Sequence, residues 1–168
     1  MPPFIPWRMC ILSDRDISSL VSRKLLISDE YSELSLTPNG YDLRISSVQV
    51  GDDPSLPSEE ATIPPGRWFA VSTMERLSLP GDITGQLWVR SSFARRGVIS
   101  SFGKVDAGFM GVLTLTGYNA SYRELKLERG TRFVQIVFER MCSASMSGYA
   151  ERSGNYQGQD RLTLEPRG

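Results

Sequence analysis

Beyond about residue 40 the hydrophobic repeat of this chain changes from a period of 3.6 to a period of 2, which limits it to sheets carrying a helix at one end. Ahead of the switch, Ser13-Asp14-Arg15-Asp16 has the Ser-x-x-Asp form of a capping box. Ile17, Leu20, Val21 and Leu25 follow at helical spacing and predict one amphipathic helix of about three turns, whose plain role is packing on a sheet. After the switch, Leu43, Ile45, Val48 and Val50 read as one or two strands near a bend. Gly66 to Val71 reads as another, after the turn-forming Pro64-Pro65-Gly66. Leu87-Trp88-Val89, Val98-Ile99, Val112 to Thr116 and Phe133 to Phe138 complete the set, separated by turns at Pro80-Gly81-Asp82, Gly108, Gly111 and Arg129-Gly130. Short strands so spaced predict a mostly β sandwich, jelly roll or barrel in a single domain. Gly51 to Glu60, rich in Pro and acids, reads as a surface loop. Ser143 to Gly158, rich in Ser, Gly, Tyr and Gln, reads as a mobile tail of the kind that also serves as a lid.

Composition narrows the chemistry. The 168 residues contain no histidine, which excludes Ser-His-Asp and Cys-His catalysis and His-ligated zinc. Acid–base work falls to carboxylates, Lys, Tyr or Cys. Cys10 and Cys142 are too few for a disulfide framework or an all-cysteine zinc site. Lys+Arg and Asp+Glu both number 19, so no overall positive field favours nucleic acid or an anionic membrane. No apolar run approaches a membrane span, and Met1-Pro-Pro-Phe-Ile-Pro-Trp-Arg8 lacks the layout of a secretory signal. The expectation is a cytoplasmic protein whose residues 1–8 form an N-terminal extension, with Met9 as an alternative start.

Three polar clusters interrupt the β pattern. Arg90-Ser91-Ser92-Phe93-Ala94-Arg95-Arg96 ends a strand in a guanidinium fork and two hydroxyls, a donor set that suits phosphate oxygens and equally a solvated basic turn. Lys104 to Gly111 sets Asp106 two residues before a glycine turn and next to the exposed-looking ring of Phe109. Such a carboxylate can activate water, although Asp and Gly also belong in any hairpin turn. Ser153 to Gln159, with Asn155, Tyr156, Gln157 and two glycines, has the amides to close over a polyanion and equally the composition of a disordered end.

Taken in order from Cys10 to about Gln159, these clusters resemble the superfamily of trimeric dUTPases and dCTP deaminases. Ile11-Leu12-Ser13-Asp14-Arg15-Asp16-Ile17 is similar to the opening of a dCTP deaminase, and Gly40-Tyr41-Asp42-Leu43-Arg44 to the first dUTPase motif. Arg90-Ser91-Ser92-Phe93-Ala94-Arg95 matches the phosphate-binding motif of both branches. Val105 to Gly111, continuing to Asn119, matches the third motif, and Gly130-Thr131-Arg132-Phe133-Val134-Gln135 the fourth. Gly154-Asn155-Tyr156-Gln157-Gly158-Gln159 is similar to the deaminase tail, with Asn155 where lysine is usual. The resemblance implies a dUTPase-like distorted jelly roll (β-clip) with a short N-terminal helix. Its domain would span residues 9–142 and its tail, 143–168, would cover the active site. It also implies a homotrimer whose active sites draw on more than one subunit.

The resemblance further implies roles. Asp106 would activate the water that attacks the α-phosphorus of dUTP. Arg90, Ser91, Ser92, Gln135 and Gln159 would face the phosphates, with Arg95 and Tyr156 also on the substrate. Phe109 would lie against the deoxyribose, and Asp42 would support the site from behind. Mg²⁺ would be held mainly by the triphosphate itself. The deaminase branch places a glutamate ten residues after the motif-three aspartate, and here that position is Thr116. A threonine hydroxyl does not titrate near neutrality and cannot shuttle protons as a carboxylate does. The expected activity is therefore dUTP diphosphatase. dCTP deaminase, alone or with the diphosphatase activity, and a non-catalytic nucleotide sensor are the alternatives.

Overall fold

Helix α1 (Asp14–Val21) starts where the capping signature puts it. Ser13 Oγ accepts the Asp16 N–H at 3.3 Å and Asp16 Oδ2 accepts the Ser13 N–H at 3.1 Å. The helix stops at Val21, so Leu25 lies beyond it, and Ile17 alone of its residues is fully buried. This computed structural model describes residues 10–51 and 57–166; the 1–8 extension and Met9 lie outside the described residues, as do 52–56 of the expected surface loop.

Among the described residues fourteen strands carry the rest. In chain order they are β1 (Cys10–Ile11), β2 (Leu26–Asp29), β3 (Leu36–Thr37), β4 (Gly40–Val50), β5 (Glu60–Ile63), β6 (Trp68–Thr73) and β7 (Arg76–Ser78). There follow β8 (Ile83–Val89), β9 (Val98–Ile99), β10 (Lys104–Val105), β11 (Met110–Gly111), β12 (Thr114–Asn119), β13 (Leu125–Glu128) and β14 (Arg132–Arg140). The main sheet runs β10-β8-β14-β4-β6-β12-β9, with β1 added to β14 and β3 to β4. Two smaller sheets, β11-β7-β2 and β13-β5, complete an all-antiparallel ladder set. The fold is mostly β with short helices, as the change of period predicts.

The bend expected near Ile45 is a bulge inside a single strand, where the β4–β6 register slips between Ile45 and Ser47. That slip divides the core. One half gathers Ile17, Leu26, Tyr41, Leu43, Ile83, Phe109 and Phe138. The other gathers Ile45, Phe69, Phe93, Leu115, Leu127 and Phe133, with Phe133 meeting Phe93 edge-on at 5.0 Å. Leu87 and Leu113 pack against both halves and so mark the seam. Among the described residues no helix is long and apolar enough to cross a membrane.

Candidate active site

The seam opens into a cavity of about 380 Å³, and Asp106 stands on its wall. β10 delivers Asp106 to a two-residue turn, where Gly108 takes φ +85 and the Phe109 N–H returns to the Asp106 carbonyl at 3.2 Å. The carboxylate is 44% exposed and pairs with Lys104 Nζ at 3.3 Å. Phe109, expected as an exposed ring, is instead buried. It still lines the cavity, but the Tyr149 ring meets it edge-on at 5.5 Å, so its exposed face is covered by the chain itself. Thr116 lines the same cavity from β12, with Leu87, Leu113 and Leu115 as apolar neighbours.

The roof is the tail. Short helix α2 (Ser91–Ala94) belongs to the phosphate-like motif, whereas α3 (Tyr149–Arg152) brings Tyr149 onto Phe109. Residues 157–159 then hydrogen-bond to the turn that carries Asp106. Gln157 accepts the Met110 N–H at 3.1 Å and donates to the Gly108 carbonyl at 3.3 Å, and Gly158 N–H donates to the Met110 carbonyl at 2.7 Å. Gly111 and Gln159 form a parallel bridge, and Gly111 sits at φ +145 with Gln159 backbone atoms only 2.9 Å from where a Cβ would stand. Any side chain at 111 would push the tail off. Gln159, expected to face phosphates, is 4% exposed and its amide donates to Thr114 Oγ1 at 2.6 Å, so that N–H is committed to the protein. Tyr156 lines the cavity as half-buried wall.

Arg90 stands elsewhere. Lys104 opposes Gln86 and Val105 opposes Gly85, so Asp106 falls beside Thr84, six residues before Arg90. At about 3.3 Å per residue that is about 20 Å along the strand. At that far end Arg90 Nε meets Asp42 Oδ2 at 3.0 Å, and its Nη1 donates to the Arg132 carbonyl at 3.0 Å. Arg132 Nη1 lies 3.8 Å from the same carboxylate oxygen. Asp42 is buried and its other oxygen, Oδ1, has no hydrogen-bond partner among the described residues. Gln135 opposes Asp42 across β14–β4 and donates to Thr37 Oγ1 at 3.2 Å. Ser91 and Ser92 are exposed beside this cluster. Arg95 faces a third cavity, with Arg96, Arg123 and Glu124, and Glu124 is absent from the Asp106 cavity.

Sequence reasoning missed Glu75. It is fully buried, where Oε1 accepts Arg44 Nε–H at 2.7 Å and the Tyr41 hydroxyl at 3.2 Å, and Oε2 accepts the Arg44 backbone N–H at 2.8 Å. The Tyr41 and Arg44 of the first motif are thus framework, and only its Asp42 reaches the cationic cluster. An acid in the Thr73 to Arg76 turn carried no periodic signal to announce this.

A family model described as dCTP deaminase-like matches residues 49–141. The chain is 42% identical over 148 residues to a protein of Pyrococcus horikoshii named dCTP deaminase, covering 86% of this chain and 93% of that one. It is 35% identical over 157 residues to the probable deoxyuridine 5'-triphosphate nucleotidohydrolase of Sulfolobus islandicus rod-shaped virus 1, covering 92% and 97%. Its fold is similar to that of 2'-deoxycytidine 5'-triphosphate deaminase from Agrobacterium tumefaciens, with TM-score 0.66 and 23% identity, over 79% of this chain and about half (48%) of that longer one. The family model, which covers more than half of the chain, and the relative at 42% identity show that the chain belongs to the dCTP deaminase-like family, within the dCTP deaminase and dUTPase superfamily.

Proposed function

We propose that the protein hydrolyses dUTP to dUMP and pyrophosphate. The observation that carries this reading is the cavity's acid content: Asp106 is its one carboxylate among the described residues, and Thr116 occupies the wall where ring deamination would call for a second. Asp106 takes a proton from water as that water attacks the α-phosphorus. The bond from the α-phosphorus to the bridging oxygen of the β-phosphate breaks, and pyrophosphate leaves. Phe109 backs the sugar face beneath Tyr149, and the leucine walls take the pyrimidine. Mg²⁺ would be held mainly by the triphosphate oxygens, and the half-exposed Asp106 carboxylate with hydroxyls nearby suits a hard cation that brings its own oxygen ligands; its chemistry there would be to offset phosphate charge.

Arg90, Ser91 and Ser92 form a phosphate clamp that a second copy presents. The ~20 Å between Asp106 and Arg90 along one strand exceeds the reach of a triphosphate, which supports an assembly of this chain, with three copies as the expected number. Exposed Trp88 and Tyr118 are available to such contacts. Asp42 aims Arg90 in this scheme.

The name dCTP deaminase, carried by relatives at 42% identity, favours a second reading, deamination of dCTP. In it the Asp106 carboxylate alone would have to serve water attack at the ring and ammonia departure. A product assay on dUTP and dCTP in parallel, with Mg²⁺, separates the two. The expected products are dUMP and pyrophosphate from dUTP, with dCTP untouched. Ammonia from dCTP would overturn the proposal in favour of the second reading, and tight binding of both nucleotides without products would favour a sensor.

A further inference from the structure

We infer that the cavity around Arg96 and Arg123 is a second anion site, which takes the phosphoryl group of a nucleotide and holds the ring of that nucleotide on Tyr122. The cavity measures about 540 Å³, within the usual range for a small-molecule site. It shares no lining residue with the Asp106 cavity, nor with a further cavity of about 370 Å³ on the other side of Asp106. It sits at the far end of α2 from Ser91 and Ser92, between the turn that closes the helix and the loop from β12 to β13. Arg95 also lines it, but the resemblance already puts Arg95 on the substrate, and the assignment does not depend on it. The walls are well fixed. Gly97, at φ +83, lies so close to the loop that a Cβ there would stand 3.0 Å from the Ser121 Cβ, and its carbonyl accepts the Ala120 N–H at 3.0 Å. Asn119 is fully buried beneath. Its amide donates to the Ile63 and Arg123 carbonyls at 3.0 and 2.8 Å, and its oxygen accepts the Ser121 N–H at 3.2 Å.

The side chains on these walls are left over from the fold. Among the described residues no carboxylate lies within 4.0 Å of the Arg96 or Arg123 guanidinium, and neither guanidinium makes a hydrogen bond. Arg96 is steadied by the Phe93 ring, whose centroid lies 5.6 Å from its guanidinium carbon. Guanidiniums gathered on one cavity repel one another, and a bound anion removes that cost. Phosphate oxygens match their forked donors. Tyr122 is 101% exposed, and among the described residues no other ring packs on it. A tyrosine mounted in water on a fixed loop is a platform for a flat ring. Glu124 lines the same cavity and makes no ion pair among the described residues. Its carboxylate repels a bare phosphate but accepts hydrogen bonds from the amino and hydroxyl groups of a nucleoside. An anion at one end and a ring with donors at the other describe a nucleotide. The chain's net charge of zero supplies none of the extended positive field that a polymer of phosphates needs, so the ligand is a single nucleotide. The inference stands apart from the reading of Asp106, with which it shares no residue.

The test is titration calorimetry of the full chain with adenosine 5′-monophosphate, inorganic phosphate and dUTP. Arg96→Gln and Arg123→Gln are each expected to weaken the monophosphate about 10- to 100-fold, as loss of a charged hydrogen bond does, and Arg123→Lys to recover part of that loss. Tyr122→Ala should weaken the monophosphate about 5- to 100-fold, the usual effect of removing a ring on which a base stacks, and leave inorganic phosphate as it is. Asp106→Asn should leave the monophosphate affinity unaltered. Arg96, Tyr122 and Arg123 are exposed, so these variants should keep the wild-type thermal midpoint. Wild type that binds no monophosphate would overturn the inference, and so would an affinity unchanged in both glutamine variants. An equal loss of dUTP affinity in those variants would also overturn it, by making the cavity part of the substrate site. Binding that tightens with the length of a single-stranded oligonucleotide would overturn it in favour of a nucleic-acid surface.

Discussion

Two carboxylate–cation pairs of this protein show what separates framework from chemistry. Glu75 with Arg44 closes at 2.7 Å and Asp106 with Lys104 at 3.3 Å, yet the first pair's side chains are 0% and 19% exposed and the second's 44% and 64%. Every oxygen of Glu75 is occupied, by two Arg44 donors and the Tyr41 hydroxyl. Burial holds the Glu75 pKa above the ordinary carboxylate value, an effect that the Arg44 bonds only partly offset. Burial, helped by the Glu75 charge, pushes Tyr41 up to about 12. Asp106 spends one oxygen on a lysine and turns the rest of its hydrogen-bonding capacity toward two cavities. A saturated carboxylate fixes a frame, and an unsaturated one is free to handle water.

The contrast can be broken by substitution. Asp106→Asn should cut steady-state turnover about 10²–10⁴-fold, the usual cost of a general base, with an unchanged denaturation midpoint. An equal loss of stability would make Asp106 framework after all. Glu75→Ala takes from the part-buried Arg44 its main partner, leaving only Glu30 at the rim, and should cost about 3 kcal/mol in urea unfolding, the low end of the loss for breaking a buried pair. A loss below ~1 kcal/mol would remove the distinction. Titration sharpens it further. With its folded pKa above the ordinary 4.5, Glu75 binds its proton more tightly in the native state than in the unfolded chain. Its contribution to stability is therefore greatest below about pH 4.5 and declines as pH rises toward the folded value, by at most about 1.4 kcal/mol per pH unit. Wild type minus Glu75→Gln, followed by unfolding between pH 4 and 8, should show that slope, and the opposite slope would contradict the burial argument. Lys104→Gln removes an exposed pair and should change stability by only about 0–1 kcal/mol.

Much of the fold is legible in the sequence because burial there follows simple periods. The capping box, β6, β8 and β14 appear within a few residues of their expected bounds. Eight strands escaped, and four of them, β1, β3, β10 and β11, are only two residues long. β2 begins at Leu26, a buried leucine at φ +67 that only tertiary packing can hold in that conformation, and β7 is three residues long. β5 and β13 pair only with each other, although Leu125 and Leu127 alternate with Lys126 and Glu128 as a half-buried strand should. Of the site, the position of Asp106 at its turn could be read from Asp and Gly spacing. That Phe109 lies under Tyr149 could not, because the two are brought together by a tail whose composition resembles that of a disordered end. Nor could the separation of Arg90 from Asp106, which follows from strand register and not from distance in sequence.

The parallel bridge between Gly111 and Gln159 also sets an order of opening. It is a single residue pair, flanked by the Val112 N–H to Gln159 carbonyl bond at 2.9 Å and the Gly158 N–H to Met110 carbonyl bond at 2.7 Å, whereas β14 is laddered to β4 and β8 along most of its length. A segment held by so few bonds opens locally at lower free energy than a central strand. Both halves of the core can therefore stay packed while the segment from Tyr149 onward comes away. In that state the molecule has its sheets and its carboxylate but an unroofed groove. Hydrogen exchange should find the amides of Val112, Gly158 and Gln159 opening at lower free energy than those of β14.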